Sequence, residues 1–206
     1  MSKGQAPREI CLDDYRPPAW RVTACELDFS LAPRDTVVRN RMRLEASGDT
    51  RDLWLDGEGL ELIELRLDGE PLAVDRYRLE DGGLAIDDLP ARCELEVVTR
   101  IDPEANTALE GLYLSSGNFC TQCEAEGFRR ITYFPDRPDV LTRFRTRIEA
   151  DRAHCPVLLS NGNLVEQGEL PAGRHYAVWE DPWPKPCYLF ALVAGDLAVV
   201  EDRYIT

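Results

Sequence analysis

Apolar and polar residues alternate along most of this chain, and that single pattern limits the folds open to it. Cys25, Leu27 and Phe29 are interleaved with Glu26, Asp28 and Ser30, with Thr23 and Leu31 continuing the apolar phase at either end. Val38, Met42 and Leu44 alternate with Arg39, Arg41, Arg43 and Glu45. Further on, Cys93, Leu95, Val97 and Ile101 face Glu94, Glu96 and Arg100, and Phe144, Thr146, Ile148 and Ala150 face Arg143, Arg145, Arg147 and Glu149. A period of two puts one set of side chains on each face of a strand, whereas a helix would need a period near 3.6. No helical period is sustained in the first hundred residues, so the fold class is all-β.

Turn chemistry divides these strands. Pro33-Arg-Asp35 predicts a turn that folds the first two into an antiparallel hairpin. Asp68-Gly-Glu-Pro71 and Asp81-Gly-Gly83 supply glycines for the positive φ of tight turns. Ser160-Asn-Gly-Asn163 predicts a hairpin turn, since Asn-Gly suits type I′ geometry, and Pro171-Ala-Gly173 predicts another turn, between strands at Leu164–Leu170 and His175–Glu180. Pro182, Pro184 and Pro186 suggest a stiff extended connector, and the apolar run Tyr188–Val193 a strand buried on both faces. Residues 1–13 are polar and aperiodic, the expectation being a flexible leader before one domain over 14–206; Asp202–Thr206 still reads as strand.

Charge narrows the partners. At 206 residues, 44% of them hydrophobic, the chain can bury a proper core. Its formal charge of −14 opposes binding to nucleic acid or to an anionic membrane, both of which attract Lys and Arg. The acidity serves solubility, and its field would also favour a cationic amino terminus on a substrate. The first residues have no apolar core of the secretory kind, and no apolar run approaches membrane-spanning length. Seven cysteines form no regular framework, which predicts free thiols in a reducing cytoplasm.

The alternation fails between Phe119 and Val140, where amides, thiols, carboxylates and aromatics crowd without period. Irregular polar segments on a rigid sheet are favoured places for binding groups. Cys120-Thr-Gln-Cys123 is a lone C-x-x-C: a structural zinc would need two more ligands, for which His154 and Cys155 are the only suggestion, and a redox motif would belong to a strand–helix unit. The two histidines, His154 and His175, sit in strand-like sequence as ordinary hydrogen-bonded members of a sheet. H-E-x-x-H and G-x-S-x-G are both absent. Gln122, Glu124 and Glu126 remain. Glu124 either caps a short helical turn over 125–133 or holds a substrate's α-ammonium through a charge-assisted hydrogen bond. The three arginines 143, 145 and 147 read as a solvated sheet face rather than a phosphate site.

Cys120-Thr-Gln-Cys-Glu-Ala-Glu-Gly-Phe-Arg129 followed by Asp136-Arg-Pro-Asp-Val140 resembles the amino-terminal domain of the bacterial aminopeptidase N family, zinc metallopeptidases of the H-E-x-x-H type. Asn106–Tyr113, Leu159–Gly162 and Pro184–Asp196 extend the resemblance, which runs from about Asp14 to the last residue. It implies a saddle-like β-sandwich, one large curved sheet with smaller sheets packed on it. It also implies that the central loop reaches into the active site of a following catalytic domain, with Glu124 binding the substrate's free amino group and Gln122 lining the pocket for its first side chain. Glu126 acquires no role. The family's zinc ligands, general base and G-x-M-E-N segment have no counterpart in these residues, so the expectation is zinc in the full-length enzyme, none in this stretch, and no peptidase activity from it alone. The alternative is a stand-alone β-sandwich binding or adaptor module without peptidase activity.

Overall fold

The computed structural model describes residues 11–204. Of the expected leader, 1–10 lie outside the described residues, and Leu12–Asp14 forms an exposed 3-10 turn. Fifteen strands follow: β1 (Trp20–Ser30), β2 (Thr36–Ala46), β3 (Leu53–Asp56), β4 (Glu61–Leu67), β5 (Glu70–Pro71), β6 (Tyr77–Glu80), β7 (Gly83–Ile86), β8 (Arg92–Ile101), β9 (Gly111–Ser115), β10 (Asn118–Gln122), β11 (Leu141–Asp151), β12 (Val157–Ser160), β13 (Asn163–Glu169), β14 (Arg174–Pro186) and β15 (Leu192–Gly195). Among the described residues there is no α-helix, only short 3-10 turns. The chain is all-β.

The strands form three sheets. The largest has eight strands in the order β13-β14-β11-β1-β2-β8-β4-β5; a four-stranded sheet runs β12-β15-β10-β9 and a three-stranded one β3-β7-β6. One large sheet with smaller companions is the expected arrangement. β1 and β2 make the expected antiparallel hairpin, and the two-residue turns at Asp68-Gly69 and Asp81-Gly82 join β4 to β5 and β6 to β7. Asp68, Gly69 and Gly82 all have positive φ, which explains the glycines.

The alternation sorts side chains as expected over most of the large sheet. Thr142, Phe144, Thr146, Ile148 and Ala150 of β11 are buried, while Arg143, Arg145 and Arg147 face outward. Those arginines belong to a solvated face on which strands of opposite charge lie side by side: Arg145 Nε lies 3.2 Å from Glu180, and Glu96 draws Arg39 at 2.6 Å, Arg41 at 3.7 Å and Arg66 at 3.9 Å. Exposed pairs of this kind contribute little each. Beneath the sheet, Phe128, Phe134, Phe144 and Phe190 form an aromatic cluster, with Phe128 at its centre 5.0–5.9 Å from the other three.

Several expectations need correction. A bulge between Val22 and Ala24 inserts a residue into β1, so Val22 is buried and Thr23 exposed, the reverse of the simple phase. Asn161-Gly162 does not close a hairpin. It turns the chain from β12 in the four-stranded sheet to β13 in the large one, with Asn161 bridging to Leu189 O and Ala191 N. The three prolines extend β14 instead of linking it, pairing with β11 up to Pro186↔Leu141; β13 ends its pairing at Glu180, so their missing N–H groups cost no ladder bonds on that edge. Tyr188–Val193 is no single strand: Cys187–Leu189 is a 3-10 turn and β15 begins at Leu192, placing Phe190 in the core and Leu189 outside. His154 lies in a turn, not a strand, with Nδ1 2.8 Å from Asp151. Residues 196–204 have no regular structure, so Asp202–Tyr204 is not strand; Ile205 and Thr206 lie outside the described residues.

Candidate functional site

The central stretch leaves the four-stranded sheet at the end of β10, where Gln122 pairs with Gly111 of β9. Cys123 is then buried, Glu124, Ala125 and Glu126 are exposed, and Gly127 and Phe128 turn back into the protein. The Gly127 N–H donates to Cys123 O at 2.8 Å and closes this tight turn. A residue larger than glycine does not fit at 127, because its Cβ would stand 2.3 Å from Gln122 O. Gln122 and Glu124 therefore project from a short, exposed tip whose two ends are fastened in the core.

The helical turn expected over 125–133 is shorter, a 3-10 turn at Phe128–Arg130, and its cap position is Gly127 with no side-chain cap bond. Glu124 is thus not a helix cap, and the structural alternative for this carboxylate is gone. Gln122 Nε2 donates to the Glu124 backbone carbonyl at 3.1 Å, which ties the Gln122 side chain to the backbone of the tip. The Glu124 carboxylate itself has no hydrogen-bond or ion-pair partner among the described residues, whereas its neighbour Glu126 lies 3.4 Å from Arg129.

Behind the tip is a residue that the reading of the sequence passed over. Asp136 has a side chain only 2% exposed, and its Oδ2 accepts from both the backbone N–H (3.2 Å) and Nε (3.0 Å) of Arg129. Its Oδ1 accepts from the Cys187 thiol at 3.0 Å, and its own N–H donates to Asp56 at 3.0 Å. Only its place in the Asp136–Val140 motif singled it out; nothing local announces a buried carboxylate that joins nearby Arg129 to two distant segments, at Asp56 and Cys187.

The cysteines do not form a redox or metal centre here. All seven are free thiols. Burial pushes Cys123 up to about 12 and also raises Cys120, the opposite of what an activated thiolate needs. Cys187 is raised by burial and by the Asp136 carboxylate. Among the described residues no three His, Cys, Asp or Glu side chains converge to hold a metal ion, so these residues do not fit a zinc site. His175 is a hydrogen-bonded part of the sheet, its Nε2 2.7 Å from Cys155 O. The larger concavities lie elsewhere: a cleft of about 510 Å³ lined by Trp20, Val22, Val140 and Leu141, and one of about 490 Å³ lined by Cys25, Phe144, Glu180 and Trp183. Neither includes Gln122 or Glu124. The tip is a projection, suited to completing a pocket formed with other residues.

Residues 27–189 match the Peptidase M1 N-terminal domain family. The chain is 50% identical over 203 residues to aminopeptidase N of Escherichia coli, which covers 98% of this chain and 23% of that protein. It is 51% identical over 201 residues to aminopeptidase N of Caulobacter vibrioides, again spanning 23% of its length. Among solved structures, Legionella pneumophila aminopeptidase A in complex with aspartic acid superposes with a TM-score of 0.85 at 37% identity, covering 91% of this chain and 22% of that one. An M1 zinc metallopeptidase from Deinococcus radiodurans shares the fold with a TM-score of 0.75 at 16% identity. The chain therefore spans under a quarter of the length of the curated relatives it matches, and it belongs to the peptidase M1 N-terminal domain family.

Proposed function

We propose that residues 14–206 serve as the amino-terminal domain of a zinc-dependent aminopeptidase and that the tip at 122–126 recognises the amino end of peptide substrates. The observation that carries this reading is Glu124: a carboxylate without a partner among the described residues, exposed on a turn whose ends are fastened in the core. An α-ammonium group placed against it would make a charge-assisted hydrogen bond, which selects a free amino terminus over an acylated one. Gln122, held beside it, offers an amide to the first side chain or its backbone. The metal and the groups that cleave the bond would come from a catalytic domain outside these residues, packed against the tip.

The test is Glu124→Ala in the longer polypeptide, assayed on a substrate with a free amino terminus. Hydrogen bonds to charged groups contribute about 1.5–3 kcal/mol, so kcat/KM should fall by about 10- to 150-fold. Zinc content should stay at the wild-type value. Wild-type kinetics in this variant would remove the anchoring role.

A further inference from the structure

Asp136 holds a costly position. A buried carboxylate loses its hydration and must be compensated by hydrogen bonds and an opposite charge. Here the opposite charge is Arg129, at the base of the 122–126 tip. One oxygen grips Arg129 twice, through backbone N–H and Nε, and the Asp136 carbonyl accepts Arg129 Nη2 at 3.3 Å. Arg129 in turn reaches Glu126 on the tip at 3.4 Å, and its carbonyl accepts the Glu58 N–H at 3.0 Å. The other Asp136 oxygen takes the thiol of Cys187, while Asp56 fixes the Asp136 backbone from the three-stranded sheet. A single carboxylate thus fastens the end of the tip at which the chain re-enters the core.

We propose that Asp136 is a positioning residue for substrate recognition: by clamping Arg129 in both backbone and side chain, it fixes where the turn presents the Glu124 carboxylate. This rests on the reading that Glu124 binds the α-ammonium. Asp136 touches no substrate and acts only through the turn. An asparagine in its place keeps the shape but carries no charge, so even with its oxygen turned to Arg129 the charge-assisted grip on the guanidinium is weakened.

The experiment is a double-mutant cycle in the longer polypeptide, with Asp136→Asn, Glu124→Ala and the pair together. Asp136→Asn alone should raise KM for free-amine substrates about tenfold, below the 100-fold that a 1 Å misplacement can cost. Its kcat should change less than twofold. In the Glu124→Ala background the same substitution should cost nothing further, because the group it positions is already gone. If Glu124→Ala is impaired and the two losses multiply, Asp136 acts on the fold at large and the positioning role is overturned. If Glu124→Ala alone is silent, the underlying assignment of Glu124 fails, and the positioning role goes with it. Should Asp136→Asn not accumulate as folded protein, Arg129→Lys keeps the charge, gives up the guanidinium grip, and carries the same cycle with the same outcomes.

Discussion

Replacing Gly127 with alanine tests the geometry of the tip most directly. The backbone there lies at φ −80° and ψ −16°, a conformation alanine adopts freely, so torsional strain contributes nothing. Steric overlap is the whole effect. An alanine Cβ would sit 2.3 Å from Gln122 O, 3.0 Å from Gly111 N and 3.1 Å from Cys123 Cα. Ordinary contact with the oxygen needs about 1 Å more, and the atoms in the way are backbone on every side, with no side chain free to swing aside. Overpacking of this kind costs about 1–3 kcal/mol, and the rigid walls place it near the top of that range. The loss of unfolded-state entropy returns about 0.4–1 kcal/mol, leaving a net cost of about 2 kcal/mol. For a chain of this size that lowers Tm by about 4–8 °C. Calorimetry on Gly127→Ala should show this shift, with Gly48→Ala as a control, since nothing lies within 4 Å of a Cβ at that position. A Gly127→Ala variant that melts within 1 °C of the Gly48→Ala control would refute the close approach of the Gln122 carbonyl, and with it the argument that the tip is held rigid.

Two further outcomes follow from burial and charge. At pH 8 an alkylating reagent should modify exposed Cys11 in the native protein and leave Cys25, Cys123, Cys155 and Cys187 untouched until denaturant is added; peptide mass mapping reads this, and native labelling of Cys123 would mean that the turn opens. Hydrogen bonds from Arg137 hold Asp139 below its usual 3.8, with the Tyr15 hydroxyl adding to them against burial. A carboxylate depressed in the folded state stabilises above its unfolded pKa and loses that contribution as pH falls through the folded one. Asp139→Asn should therefore be less stable than wild type at pH 7, with the gap closing below about pH 4 in chemical denaturation. A gap that stays constant down to pH 2 would mean that the pair contributes nothing electrostatic.

Much of the fold was legible because a strand writes its two faces directly into the sequence. β2 and β11 show it, and so do the two glycine turns whose positive φ demands the residue found there. The errors share a different cause. Asn161-Gly162 has hairpin chemistry, yet it serves as a corner because its flanking segments pair with partners in different sheets. The phase of β1 slipped at a bulge, which is a property of the pairing and not of one strand. Tyr188–Val193 is apolar throughout, so no period marked the 3-10 turn that divides it.

The sequence by itself determined that this chain is a sheet protein, that 119–140 departs from the sheet, and, through its motif, the family and the two side chains of interest. Gln122 and Glu124 lie in one short segment, and their proximity needs no fold to explain it. Only the tertiary structure decided that Glu124 is not a helix cap and that its carboxylate has no partner among the described residues. It also decided that β1 runs parallel to β11 more than a hundred residues away, and that Asp136 gathers Arg129, Cys187 and Asp56 behind the tip. The physical reason is range. Periodicity, turn torsions and motif spacing act between neighbours along the chain, whereas burial of a charge and the pairing of distant strands depend on which segments the collapsed chain brings together.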